Sequence, residues 1–176
     1  MSQQNVSFIL RPWSMGDLEN LLKFANNKKI ADNLTDAFPH PYLAENGISY
    51  ISTFMDENPR RVSAIEVDGI ACGSIGIFPQ MDVHRKNAEM GYWLAEEYWG
   101  RGIMTEAVRQ TIRYGFEWFD ICRIFARPYS SNQASQRVLE KAGMKLEGRF
   151  KDALYKNGQF LDELIFSIFK PIPTQS

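Results

Sequence analysis

The spacing of apolar and polar positions divides the chain into a helical first part and a strand-rich remainder. Residues 7–11 form a predicted strand, and Ser14 then begins a helix as its N-cap, with Asp17 at the capping-box spacing. Two further helical stretches are predicted at 28–34 and 43–55. Between them, the Pro-His-Pro sequence from Pro39 to Pro41 must be irregular, because each proline disfavours helix in the residue before it.

From residue 61 the pattern changes to that of strands. Strands at 62–67 and 70–78 flank Asp68-Gly69, a strong signal for a two-residue hairpin turn. The later elements are expected to be a strand at 88–94, a helix at 102–118, a strand at 121–126 and a helix at 132–141. Two final strands, at 145–155 and 160–169, are expected to turn at Asn157-Gly158. This order predicts an α/β fold with a mixed sheet, most strands meandering and one crossover near the middle.

Composition limits the function classes. The chain has 176 residues and a formal net charge of -1, without repeats or linkers, so a single domain over 1–176 is expected. The near-neutral charge argues against nucleic acid or a membrane as a partner. The amino terminus lacks the regions of a signal peptide, and a cytoplasmic protein is expected. Cys72 and Cys122 are expected to be buried thiols, and no metal is expected because His40 and His84 stand alone.

The most informative stretch runs from Met90 to Ala107: a strand, a short loop with two glycines, and a helix. Such a junction presents unpaired N–H groups and the positive end of a helix dipole, and glycines let a phosphate approach the backbone. A diphosphate is a natural ligand there. A P-loop is excluded because Ile103-Met104 replaces its Lys-Ser/Thr pair, and a dinucleotide fingerprint is disfavoured because Thr105 replaces its third glycine.

A second motif, Asn-x-x-Ser-x-x-Val-Leu-Glu-Lys-x-Gly, runs from Asn132 to Gly143. Together with Tyr-Trp-Gly-x-Gly-x-x-Thr-Glu-Ala, which ends at Ala107, it resembles the cofactor motifs of the GNAT superfamily of N-acetyltransferases. The likeness is greatest to the ribosomal-protein-alanine N-acetyltransferase branch, which often carries the Pro-x-Pro-Tyr ending here at Tyr42. The resemblance implies a GNAT-type mixed, mostly antiparallel central sheet flanked by helices, with a splayed central strand pair.

The resemblance also implies acetyl-CoA as cosubstrate, without a metal. Its pantetheine arm would pair with the strand that ends at Leu94 and bond to Asn132. Its diphosphate would bind the loop and first helical turn, where the implied residues are Trp99, Gly100, Arg101, Gly102, Ile103, Met104 and Thr105. Glu97 replaces the Gln or Arg that the superfamily has three positions before the first glycine, so no side-chain phosphate contact is expected there.

Two residues are candidates for the chemistry. Glu89, early in the central strand, is the candidate base, acting directly or through a water, with an ordinary charged strand residue as the alternative. The oxyanion would bond to a strand N–H near Leu94. Many superfamily members place a tyrosine acid four residues after Ser135, where this chain has Leu139. Ser135 could donate instead, or be structural, and a thiol of pKa about 8.5 leaves readily in either case.

The acceptor is expected to be a primary amine, and an α-amine such as a protein N-terminus suits a single carboxylate base best. Phe38, His40 and Tyr42 would line the acceptor mouth, unless they form a loop packed by its own aromatic rings. Acetylation of a small molecule, such as a polyamine, amino acid or aminoglycoside, is the alternative. A non-catalytic acyl-CoA-binding sensor is a second alternative. The oligomeric state stays open.

Overall fold

The computed structural model describes residues 6–171, which contain one seven-stranded sheet and five α-helices. The strands are β1 (Ile9–Arg11), β2 (Val62–Val67), β3 (Ile70–Pro79), β4 (Asn87–Leu94), β5 (Arg123–Ala126), β6 (Lys145–Lys156) and β7 (Gln159–Phe169). The helices are α1 (Leu18–Ala25), α2 (Lys28–Ala31), α3 (Ala44–Phe54), α4 (Ile103–Trp118) and α5 (Gln133–Lys141).

The sheet has the order β1-β2-β3-β4-β5-β7-β6. Every pair of neighbouring strands is antiparallel except β4 and β5, which are parallel and are joined by the crossover helix α4. This architecture confirms the prediction of a mixed, mostly antiparallel sheet with a single crossover near the middle of the chain.

Tight turns close the two hairpins at the places that the sequence predicts. Asp68-Gly69 joins β2 to β3 with φ of 50° and 80°, and Asn157-Gly158 joins β6 to β7 with φ of 51° and 79°. Two consecutive positive φ values define the turn whose twist matches that of the flanking strands, which is why Asp-Gly and Asn-Gly occur there.

Helices cover both faces of the central strand β3. Ile77 packs beneath α4, where it approaches Gly115, whereas Ser74 forms a 2.8 Å hydrogen bond with the Tyr50 hydroxyl on α3. Side chains at an odd separation point to opposite faces of a strand. The central sheet is therefore enclosed between α1 and α3 on one side and α4 and α5 on the other.

Two local predictions are wrong. The helix predicted at 28–34 ends at Ala31, because the N–H groups of Asn33 and Leu34 turn back to carbonyls three residues earlier. Cys72 is buried as expected, and burial raises the pKa of its thiol to about 11, but Cys122 is exposed. Cys122 lies before β5 begins, and its N–H bonds to the Lys86 carbonyl outside the strand ladder.

Within residues 6–171, no helix combines the length and the apolar character needed to cross a membrane.

Candidate active site

The central strands β4 and β5 separate part of the way along the sheet. Their parallel pairing ends at Glu89 and Phe125, while β4 continues to Leu94 and stays paired with β3 on its other side. Past Glu89, no strand of residues 6–171 pairs with the β5-facing edge of β4. The Leu94 carbonyl accepts a 2.7 Å hydrogen bond from the Trp99 indole, which fixes the start of the following loop. The splayed strand pair is thus confirmed.

A cleft of about 880 Å³ opens where the two strands separate. Its walls come from β4, the loop before α4, the first turn of α4, the segment after β5, and α5, together with α2 and the residues that follow it as far as Thr35. Both candidate catalytic residues and all the candidate cofactor residues line it: Glu89, Leu94, Trp99, Gly100, Arg101, Gly102, Ile103, Met104, Thr105, Asn132 and Ser135. The fold therefore brings together, in one cavity, residues that lie up to 46 positions apart in the sequence (Glu89 to Ser135).

The loop before α4 presents backbone N–H groups to this cleft. Gly100 and Gly102 have φ of 73° and 77°, the left-handed region that residues with a side chain rarely adopt. The first hydrogen bond within α4 runs from the N–H of Glu106 to the Gly102 carbonyl. The N–H groups of residues 103–105 thus have no partner within the helix, and they lie at the positive end of the α4 dipole, a geometry that suits an anion.

Positive side chains add to this site. Arg109 on α4 and Arg137 and Lys141 on α5 line the cleft beside the loop. Arg101 turns back, so that its guanidinium donates to the Glu97 carbonyl at 2.7 Å and lies 5.4 Å from the centre of the Tyr98 ring. The two helices therefore carry cationic groups suited to phosphates, and no spacing in the sequence indicates them.

Glu89 is held by an arginine that the sequence analysis missed. Arg127, just after β5, donates to both Glu89 carboxylate oxygens at 2.9 Å, and its guanidinium lies 3.6 Å from the Glu163 carboxylate on β7. The hydrogen bond to Glu89 raises the pKa of Arg127, which stays charged. Each carboxylate oxygen of Glu89 still has a second lone pair that can accept a proton or a water hydrogen bond.

Ser135 also has a partner that the sequence analysis missed. Its Oγ lies 2.7 Å from the hydroxyl of Tyr92 on β4, and its backbone N–H donates to the Asn132 Oδ1 at 3.1 Å. Asn132 thus caps α5 and keeps its amide NH₂ as the group that would meet the pantetheine. Burial raises the pKa of Tyr92, so its phenol is neutral at physiological pH.

The two candidate catalytic groups approach β4 from opposite faces. Tyr92 points toward α5, whereas Trp93 points the other way and packs against Phe38, with ring centroids 6.0 Å apart. Glu89 is four residues from Trp93 and therefore shares its face. A carboxylate and a hydroxyl thus flank the same gap from two sides of the sheet.

The three predicted acceptor residues do not line the cleft. Tyr42 is buried, which raises its pKa to about 12, and its ring packs 5.1 Å from that of Phe38. His40 is exposed on the same loop. This geometry favours the alternative of a loop packed by its own aromatic rings, and a role in acceptor binding stays a prediction. Across residues 6–171, no three His, Cys, Asp or Glu side chains group in a way that could hold a metal ion.

Comparison with known proteins identifies the family. Residues 7–145 match the family model described as "Acetyltransferase (GNAT) domain". The chain belongs to this family, as the two sequence motifs predicted.

Curated relatives include enzymes named for different acceptors. A putative ribosomal N-acetyltransferase, YdaF of Bacillus subtilis, is 40% identical over 103 residues, which cover 58% of this chain. That match spans only 56% of the relative's own length. The spermidine N(1)-acetyltransferase of Escherichia coli K12 is 27% identical over 163 residues, covering 92% of this chain and 85% of the relative.

Solved structures share the fold over almost the whole chain. RimJ of Mycobacterium smegmatis, in complex with CoA-disulfide, has a TM-score of 0.78 at 26% identity, covering 96% of this chain and 85% of that chain. RimL, a ribosomal L7/L12 alpha-N-protein acetyltransferase in complex with coenzyme A, has a TM-score of 0.80 at 24% identity, covering 93% and 96%. These matches agree with the GNAT-type fold that the motifs predicted.

Proposed function

We propose that this chain transfers the acetyl group of acetyl-CoA to a primary amine, in particular the α-amine of a protein N-terminus. The observation that carries the proposal is the open edge of β4, which runs along a cleft to the first turn of α4. A pantetheine arm can form strand-like hydrogen bonds along that edge while the diphosphate binds the free N–H groups of residues 103–105. Coenzyme A complexes of related proteins support this choice of cosubstrate.

Each group in the cleft then has a role. Glu89 accepts the amine proton, directly or through a water, and Arg127 fixes the orientation of its carboxylate. A backbone N–H of β4 near Leu94 stabilises the oxyanion. The Ser135 hydroxyl reaches the sulfur from the other face of the strand, where it assists departure of the thiolate.

The acid-base chemistry favours an α-amine as acceptor. With a pKa near 8, an α-amine loses about 1.4 kcal/mol at pH 7 to being mostly protonated, whereas a lysine-type amine near 10.4 loses about 4.6 kcal/mol. A single carboxylate that is already paired with Arg127 is better suited to deprotonating the α-amine, for which the free-energy cost of deprotonation is smaller. The names of two similar proteins support the same class of acceptor: YdaF is named as a putative ribosomal N-acetyltransferase, and RimL as a ribosomal L7/L12 alpha-N-protein acetyltransferase.

Release of free thiol from acetyl-CoA, measured with a panel of amines, tests the proposal. The panel contains peptides that have a free amino terminus and different first residues. It also contains the same peptides with the amino terminus blocked and a lysine side chain present. Spermidine and an aminoglycoside complete the panel. We expect the free peptides to be acetylated at the α-amine and the blocked peptides to be inert.

Three results would change this assignment. Turnover only with spermidine or the aminoglycoside would replace the protein N-terminus by a small-molecule acceptor, as the spermidine acetyltransferase relative would suggest. Binding of acetyl-CoA without thiol release for any amine would indicate a sensor. Failure to bind coenzyme A would contradict the proposed function as a whole.

A further inference from the structure

A tyrosine–serine pair inside the cleft has a structure suited to stabilising the departing sulfur. We propose that Tyr92 is a positioning residue that holds the Ser135 hydroxyl so that its proton points into the cleft, toward the thiolate that leaves acetyl-CoA. The inference rests on the proposed function and assigns Tyr92 a part in it. In this way β4 supplies the phenol that α5 lacks at Leu139, whose side chain is buried.

The position of Ser135 is fixed from two sides. Asn132 binds its backbone N–H, and the Tyr92 hydroxyl lies 2.7 Å from its Oγ. All three residues line the cleft, so the hydroxyl of Ser135 is held at the wall and is not left to rotate. A hydrogen bond of this length between two hydroxyls leaves one O–H proton for a third group.

The direction of this hydrogen bond decides which proton remains. A phenol is a stronger hydrogen-bond donor than an aliphatic hydroxyl, and burial keeps the Tyr92 phenol protonated by raising its pKa. The Ser135 carbonyl, the other acceptor near Tyr92, is more distant at 3.4 Å. Tyr92 therefore donates to the Ser135 Oγ, and the Ser135 proton is left to bond a group in the cleft.

The step balances without an added acid. The carbonyl carbon forms its bond to the amine nitrogen, the C–S bond breaks, and the sulfur leaves with the electron pair as a thiolate. The amine proton passes to Glu89 or water. The Ser135 O–H donates a hydrogen bond to the thiolate. This hydrogen bond is enough without full protonation, because a thiol with a pKa of about 8.5 leaves readily as the thiolate.

A double-mutant cycle tests whether Tyr92 acts through Ser135. Tyr92→Phe and Ser135→Ala should each lower kcat by about ten-fold or more, the cost of losing one hydrogen bond to a charged group, with little change in the KM for acetyl-CoA. Because both changes remove the same hydrogen bond to sulfur, the double variant should be no slower than Ser135→Ala.

Tyr50→Phe is the matched control. Tyr50 forms the same kind of bond, 2.8 Å from its hydroxyl to the Ser74 Oγ, but neither residue lines the cleft. Its removal should lower stability while leaving kcat unchanged. If Tyr92→Phe folds poorly, Ser135→Ala tests the same bond from its other end.

A second measurement needs no amine acceptor. The thiol of bound coenzyme A can be titrated through the ultraviolet absorbance of its thiolate. Tyr92→Phe and Ser135→Ala should each raise the thiol pKa of bound coenzyme A by about 1, which corresponds to ten-fold weaker stabilisation of the thiolate, and Tyr50→Phe should not.

Wild-type kcat in Tyr92→Phe, additive losses in the double variant, or an unchanged thiol pKa would each overturn the role of Tyr92. Failure of the proposed function gives different results: the wild-type chain does not bind coenzyme A, or it binds coenzyme A and shows the expected thiol titration yet acetylates no amine.

Discussion

At the scale of single residues, the ion pair between Glu89 and Arg127 determines what the candidate base can do. Arg127 donates to both carboxylate oxygens of Glu89 and also lies near Glu163, so one guanidinium joins side chains from β4 and β7. Two hydrogen bonds from one guanidinium to both oxygens of a carboxylate fix the plane of that carboxylate. Glu89 therefore has a defined direction in which its remaining lone pairs can meet an amine or a water.

Glu89→Gln tests the base directly. Glutamine keeps the size of glutamate but cannot accept the proton, and its amide oxygen can accept only one of the two Arg127 hydrogen bonds. We therefore expect kcat to fall by about 10²–10⁴-fold while coenzyme A affinity barely changes. Activity should recover as pH rises, because more of the acceptor arrives deprotonated, and the recovery should be larger for an α-amine than for a lysine-type amine. Initial rates across pH measure both effects.

Glu163→Gln is the control for this experiment. It makes the same chemical change at the other carboxylate near Arg127, whose closest oxygen is 3.6 Å from the guanidinium. Its effect on kcat should be much smaller than that of Glu89→Gln. Equal losses in both variants would mean that the ion-pair network, and not a base at Glu89, supports activity, and a wild-type rate in Glu89→Gln would make that residue structural.

At the scale of elements, the start of α4 depends on a left-handed glycine. Gly102 is the N-cap of α4 with φ of 77°, and a Cβ built there would meet no atom within 4 Å. Glycine is therefore needed for the backbone conformation and not for space. A β-branched residue would move the loop and the N–H groups that begin the helix.

Gly102→Val should weaken coenzyme A binding by at least ten-fold, or about 1.4 kcal/mol. Gly69→Val is the matched control, because Gly69 has φ of 80°, an equally open Cβ position, and no place in the cleft wall. Both variants should lower the free energy of unfolding by about 1–2 kcal/mol, but Gly69→Val should leave the affinity for coenzyme A unchanged. Calorimetry on the folded variants separates the two, and unchanged affinity in Gly102→Val would place the phosphates elsewhere.

The elements that the sequence predicts best are those with strong local signals. The helix predicted at 102–118 is α4, and both Asp-Gly and Asn-Gly turns lie where expected, since capping and turn chemistry act over a few residues. Weak local signals did worse. The stretch at 28–34 has helical spacing, yet α2 ends after four residues, where the N–H groups of Asn33 and Leu34 return to carbonyls three residues earlier.

The candidate site was predictable only as far as its motifs extended. The glycine loop and Asn132 belong to motifs with fixed spacing, and all of them line the cleft. Tyr92 and Arg127 are different, because each takes its role from a partner about 40 residues away in the sequence. Only the tertiary fold brings Tyr92 on β4 to Ser135 on α5, and no spacing within the chain indicates this contact.

At the scale of the whole molecule, one partly buried charge cluster joins the first strand to the rest of the fold. The Arg11 guanidinium on β1 forms two 2.7 Å hydrogen bonds with the Asp17 carboxylate and also pairs with Glu66 on β2. The Ser14 N–H donates to Asp17 at 2.9 Å. Burial opposes the charge on Asp17, but the hydrogen bonds from Arg11 and Ser14 outweigh it and lower the pKa of this carboxyl below 3.8.

The cluster makes global stability depend on acid pH. Because the pKa of Asp17 is lower in the folded state, its contribution to the free energy of unfolding is complete above the ordinary pKa of 3.8. This contribution is lost as pH falls through the folded-state pKa.

Asp17→Asn should lower the free energy of unfolding by about 1–3 kcal/mol at neutral pH. The free energy of unfolding of this variant should also decrease less than that of the wild type as pH falls. Asp36→Asn, at a carboxylate 86% exposed beside Lys156, should cost less than about 1 kcal/mol. Urea unfolding of both variants at several pH values measures this, and an Asp17→Asn protein with the wild-type pH dependence would show that the acid sensitivity arises at other carboxylates.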